Sequence, residues 1–89
     1  MDRKRRRMIE GELYLFSLPR AADKPTILEA VETALEATGC GRILGSGISI
    51  ADGGTIVIEV GAYDRDAAGD AISHVCRELK CRDFELVWD

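Results

Sequence analysis

The run Arg42–Tyr63, RILGSGISIADGGTIVIEVGAY, dictates much of what this chain can become. Asp52, Gly53 and Gly54 separate two apolar stretches, and glycine accepts the positive φ that a tight turn needs. The pattern predicts a β-hairpin whose second strand, Thr55–Val60, is the most apolar run available. Directly opposed residues of an antiparallel pair share a face, and a slip of one residue exchanges the faces. A two-residue turn at Asp52–Gly53 sets Ile48 against Val57 and Ser49 against Ile56. A three-residue turn, Asp52–Gly54, instead opposes Ile50 to Ile56, Ile48 to Ile58 and Ser46 to Val60, collecting the isoleucines on one buried face. The three-residue turn is therefore expected, with Gly54 left-handed and with Thr55, Val57, Glu59 and Gly61 on the other face.

The flanking sequence supplies two strands and two helices. In Ile9–Leu18, Leu13, Leu15 and Ser17 alternate with Tyr14, Phe16 and Leu18. Both faces carry apolar groups, which suits a central strand, and Pro19 ends it. Over Asp23–Thr38, Ile27, Leu28, Val31 and Leu35 recur at helical spacing; Asp23 is the expected N-cap, Pro25 lies in the first turn and Gly39 follows as the stop. Glu29, Glu32 and Glu36 line the outer side of this helix. A second helix, capped by Asp64 or Asp66 and running to about Lys80, presents Ala68, Ala71, Ile72, Val75, Cys76 and Leu79 as its buried stripe. Gly69 in its first half is read as a mark of close contact with the sheet. Asp83–Trp88 alternates Phe84, Leu86 and Trp88 with Glu85 and Val87, as a strand does. The order is β-α-β-β-α-β. Two right-handed crossovers then give a ferredoxin-like α+β sandwich: one antiparallel sheet of order 4-1-3-2, with both helices on one face.

The length, 89 residues, suits one domain, read here as residues 9–89 preceded by a basic arm over 1–8. The formal charge of −4 is unevenly spread. Arg3, Lys4, Arg5, Arg6 and Arg7 form the arm, while from Met8 onward seven basic residues face 15 acidic ones, a balance of −8. No apolar run approaches the ~20 residues of a membrane helix, and no apolar segment follows the basic start as in a secretory leader. Cys40, Cys76 and Cys81 are odd in number and lack paired spacing. That favours reduced thiols in a cytoplasmic protein, with a redox role weighed for Cys81 alone.

The chemistry-bearing patterns are sparse. Gly45-Ser46-Gly47 lacks the Lys-Ser/Thr of a phosphate loop and the third glycine of a dinucleotide fingerprint, so a β-bulge is expected there rather than a ligand loop. Asp70, His74 and Glu78 follow one line of the second helix, on its expected solvent side. The loop after the first strand, where metal-carrying domains of this topology place a C-x-x-C pair, has no cysteine, and no four-ligand zinc set is present. No nucleophile–base pairing is in view, and Glu59 is expected on the open sheet face. The chain is read as non-catalytic, with no cofactor and no metal.

With both helices on one side, the other side of the sheet carries Tyr14, Phe16, Leu18, Val57 and either Val87 or its neighbours. A contiguous apolar patch of this kind marks an interface. The expected function is a protein-interaction domain that uses Tyr14, Phe16 and Val57 together with the Glu29, Glu32 and Glu36 ridge. Its partner is another protein of basic character, and self-association as a homodimer is the simplest form.

Two resemblances bear on this. Leu13-Tyr14-Leu15-Phe16-Ser17-Leu18-Pro19 resembles the first-strand motif of RNA-recognition domains, which share length and element order. It implies base stacking on Tyr14 and, with Arg3, Lys4, Arg5, Arg6 and Arg7, an alternative nucleic-acid-binding reading; Thr55 and Val57 stand where that family has aromatics. Gly45–Leu79 is similar to small stand-alone bacterial proteins of unassigned role, in its Gly-rich strand, acidic turn, Ile56-Val57-Ile58-Glu59-Val60 strand and Ala-rich helix. That resemblance implies an inhibitor- or immunity-type partner of another protein. A third class, a dimeric small-molecule sensor, would use Gly45–Gly47 as its ligand loop.

Overall fold

The computed structural model describes residues 8–17, 23–49, 55–81 and 83–89. Six elements follow one another: β1 (Ile9–Ser17), α1 (Lys24–Thr38), β2 (Gly41–Ser49), β3 (Thr55–Ala62), α2 (Arg65–Glu78) and β4 (Asp83–Trp88). The strands form one antiparallel sheet in the order β2-β3-β1-β4, which is the ferredoxin-like α+β arrangement expected from the element order. β1 and β3 are the central pair. Leu13 opposes Ile58 on one side and Leu86 on the other, which puts all three on the helix-covered face. The core gathers Leu13, Leu15, Ile56, Ile58 and Val60 from the sheet, Ile27, Val31 and Leu35 from α1, and Ala68, Ile72 and Cys76 from α2.

Local chemistry starts each helix. Asp23 accepts a hydrogen bond from the Thr26 amide at 3.0 Å, and Asp64 accepts one from the Ala67 amide at 3.1 Å, so a carboxylate satisfies an otherwise unpaired donor in both first turns. The Asp23 carboxyl is held below the usual carboxylate range by its bond from Thr26. The apolar stripe carries the helical pattern to about Lys80, but α2 stops at Glu78.

The two helices end alike. The Gly39 amide donates to Glu36 and the Cys40 amide to Leu35; in α2 the Lys80 amide donates to Arg77 and the Cys81 amide to Cys76. The turning residue is left-handed in both, Gly39 at φ 66° and Lys80 at φ 65°. Glycine accepts that conformation freely, whereas lysine carries a Cβ into it at a cost. In this closure the residue after the turn packs on the last helical turn. Cys81 thus joins Cys76 and is as buried as Cys76, which argues against a redox role for it. Burial pushes the Cys76 thiol up to about 12 and raises that of Cys81, so both stay protonated.

The hairpin register differs from expectation by two residues. Ser49 opposes Thr55, Ile48 opposes Ile56 and Ser46 opposes Ile58, so the connection spans 50–54, outside the described residues together with Ile50 and the turn glycines. A two-residue shift preserves the faces, so apolar alternation does not distinguish the two registers. The bulge expected at Gly45-Ser46-Gly47 lies one step earlier, where the register shifts between Ile43 and Gly45 around Leu44. Ile48, expected in the core, is 55% exposed; it lies near the end of β2, an edge strand. Gly69 is not a site of tight approach: an added Cβ would meet Leu86 at 3.9 Å, an ordinary contact.

Candidate functional site: the open sheet face

Among the described residues no element covers the second face of the sheet, and strand alternation decides what it displays. From β1 come Glu10, Glu12, Tyr14 and Phe16; from β3, Val57, Glu59 and Gly61; from β4, Glu85 and Val87. Register arranges them in rows across the strands. Glu10 lies beside Gly61, Glu12 beside Glu59 and Val87, and Tyr14 beside Val57 and Glu85.

The face divides along its length. Its aromatic half holds Tyr14 and Phe16, whose rings stack in parallel with centroids 6.2 Å apart and planes 8° from coplanar. Phe16 is 44% exposed and Val87 40%, while Tyr14 and Val57 are half-buried. The acidic half has Glu10, Glu12, Glu59 and Asp89 around a small depression of about 90 Å³ floored by Gly11 and walled by Leu44. The bulge explains Leu44: the extra residue turns its side chain to this face, where it is 40% exposed. Like charges directly opposed across a strand pair, as Glu12 and Glu59 are, destabilise a sheet unless a cation lies between them.

Tyr14 joins the two halves. Its hydroxyl donates to Glu12 Oε1 at 2.8 Å, and that bond, with the nearby carboxylates of Glu12, Glu85 and Asp89, raises its pKa above 10. The Glu59 carboxylate reaches across the neighbouring strand, where its Oε1 would stand 3.0 Å from a Cβ at Gly45. Gly45 is thus the space into which Glu59 lies. Beside it, Ser46, Gly47, Ile48, Val57 and Glu59 line a shallow depression of about 250 Å³, and Ser46 is exposed. At the head of the face, Met8 seats its thioether on Gly61, which it buries. The charge pattern assigns Met8 to the basic arm; in the structure it belongs to the packed domain.

The sites expected from sequence do not form one patch. Tyr14, Phe16 and Val57 share the open face. Glu29, Glu32 and Glu36 are exposed on the outer side of α1, in the opposite layer. Arg3, Lys4, Arg5, Arg6 and Arg7, and Leu18, lie outside the described residues. Thr55, expected on the open face, is buried. His74 and Glu78 pair at 3.3 Å with both side chains about two-thirds exposed (69% and 66%), a solvated helix surface. Among the described residues no group of three or more His, Cys, Asp or Glu side chains is placed to hold a metal ion, and no helix is long and apolar enough to cross a membrane. The acidic half is the part that sequence reasoning misses. Its signal is the alternation of Glu10 and Glu12 with Leu13 and Leu15, which puts the two carboxylates beside Glu59 once β1 and β3 pair.

The chain matches no protein-family model, and neither a curated protein nor a solved structure is significantly similar to it.

Proposed function

We propose that this chain is a protein-interaction domain that works through its open sheet face, with self-association as the simplest form and basic proteins as the preferred other partners. One observation carries the reading: Phe16 and Val87 stand exposed on a face that also displays Tyr14 and Val57. A flat, partly aromatic patch rimmed by charge is the kind of surface that partners cover. The rigid central strands hold it in place without further ordering, which keeps the cost of association low. The acidic body, including the Glu29, Glu32 and Glu36 ridge, steers positively charged partners toward the domain. Nucleic acid is the weaker reading, because Glu12, Glu59 and Glu85 flank Tyr14 and repel a phosphate backbone.

Sedimentation velocity over a concentration series tests this. Phe16→Glu places a charge in the aromatic half and is expected to hold the chain as a monomer with an unchanged far-ultraviolet spectrum. Glu29→Gln/Glu32→Gln/Glu36→Gln, in the other layer, is expected to leave self-association intact. A wild-type chain that stays monomeric at every concentration contradicts self-association.

A further inference from the structure

We infer that the acidic half of the open face is a docking site for the chain's own basic arm, residues 3–7, folded back in cis. The inference rests on the reading that the open face is a contact surface, and it names what occupies one end of it.

The charges of the two segments are complementary. The depression lined by Glu10, Glu12, Glu59 and Asp89 carries four carboxylates, and Glu12 and Glu59 are directly opposed. Arg3, Lys4, Arg5, Arg6 and Arg7 are five consecutive cations, whereas the rest of the chain has seven basic residues against 15 acidic from Met8 onward. Guanidinium groups bind carboxylates through two parallel N–H bonds and also stack on aromatic faces, so Tyr14 at the edge of the acidic half suits them.

Met8 is fixed on Gly61, on this same face, so the arm departs from beside the depression. Glu10 lies about 7 Å and Glu12 about 14 Å from Met8 along β1, at the rise of an extended strand. Five residues span up to about 17 Å, enough to return past both. Glu59 and Asp89 flank that path on the neighbouring strands, and the Asp89 amide donates to the Glu10 carbonyl at 2.9 Å, which fixes that end of β4 alongside. A tether this short holds the arm at an effective concentration that dilute second copies do not match, which decides for cis over exchange between chains. The docked arm neutralises the acidic half and leaves the aromatic half for a partner.

Zero-length carbodiimide cross-linking of the full chain tests this. Lys4 is the only lysine of the arm; Lys24 and Lys80 are the others. An equal mixture of ordinary and ¹⁵N-labelled chains is treated with the reagent at low salt and mapped by mass spectrometry. The expected result is linkage of Lys4 to Glu10, Glu12, Glu59 or Asp89 in peptides of a single isotope, lost at high salt. Peptides of mixed isotope overturn the cis assignment, and absence of Lys4 linkages to these residues overturns the docking. A second measurement uses a hexa-arginine peptide as probe. A chain lacking residues 2–7 is expected to bind it more tightly than the full chain, by on the order of tenfold, because no tethered competitor remains. Glu12→Gln/Glu59→Gln in the shortened chain abolishes the gain. Equal binding by the two chains overturns the proposal. Missing cross-links in a chain that still dimerises count against the docking alone. Cross-links in a chain that stays monomeric count against self-association alone.

Discussion

The helix-covered and open faces of the sheet are built from alternate residues of the same strands, yet they differ in kind. On the covered face, Leu13, Leu15, Ile56, Ile58 and Val60 are almost wholly buried and interlock with α1 and α2. On the open face, Glu12, Tyr14, Phe16, Val57 and Glu59 come from the same two strands and are half-buried or exposed. The covered face determines the fold, since its atoms have neighbours on every side. The open face contributes less to the fold, and so its residues are free to serve recognition. That is why an aromatic stack can stand beside a pair of like-charged carboxylates there.

Substitutions on the two faces are expected to differ in their effects. The largest effect is expected for Leu13→Ala, which leaves a cavity in the interlocked face and costs about 2–5 kcal/mol, while Phe16→Ala, further along the same strand on the open side, costs about 1 kcal/mol. Urea denaturation of the pair measures both; equal losses would erase the distinction between the faces. Gly11→Ala comes next. Its Cβ would fall 2.5 Å from the Trp88 ring and 2.7 Å from the Val87 carbonyl oxygen, and the backbone partner cannot yield, so about 1–3 kcal/mol of overpacking is expected in the same assay. Lys80→Gly relieves the left-handed lysine that closes α2 over the covered face and is expected to stabilise by about 1 kcal/mol, seen as a higher melting temperature. The smallest effect is electrostatic and belongs to the open face. The Tyr14 phenol titrates above 10 because it donates to Glu12, so Glu12→Gln is expected to lower its midpoint in an ultraviolet pH titration. The sign follows: a phenol raised in the folded state supports folding below its unfolded pKa, and that support is lost as pH rises through the folded value.

Alternation makes the faces of β1, β3 and β4 legible in the sequence itself, because a period of two leaves little freedom in which side chains point together. The cap at Asp23 is legible from its place before Pro25, while for α2 the sequence offers both Asp64 and Asp66 and the structure uses Asp64. The hairpin register is not legible, since a shift of two residues leaves every isoleucine on the same face. The bulge has a signal, the adjacent large residues Ile43 and Leu44 that interrupt alternation, but the neighbouring glycines draw the expectation to Gly45–Gly47. Lys80 has none, because a left-handed turn is read from glycine or asparagine. The candidate site is half legible. Tyr14, Phe16 and Val57 follow from the strand pattern, while the acidic half emerges only when Glu10 and Glu12 on β1 and Asp89 after β4 come together with Glu59 on β3. Glu29, Glu32 and Glu36 are legible as a ridge on the outer side of α1, in the layer opposite the aromatic residues.

The proposed contact surface is the open face. Its most direct test is line broadening by a soluble nitroxide in proton–nitrogen spectra recorded on dilute and concentrated protein. Tyr14, Phe16, Val57 and Val87 are expected to be broadened in the dilute sample and protected in the concentrated one, while Glu29, Glu32 and Glu36 are broadened equally in both. Broadening of the open-face residues that does not change with concentration, or protection confined to α1, contradicts it.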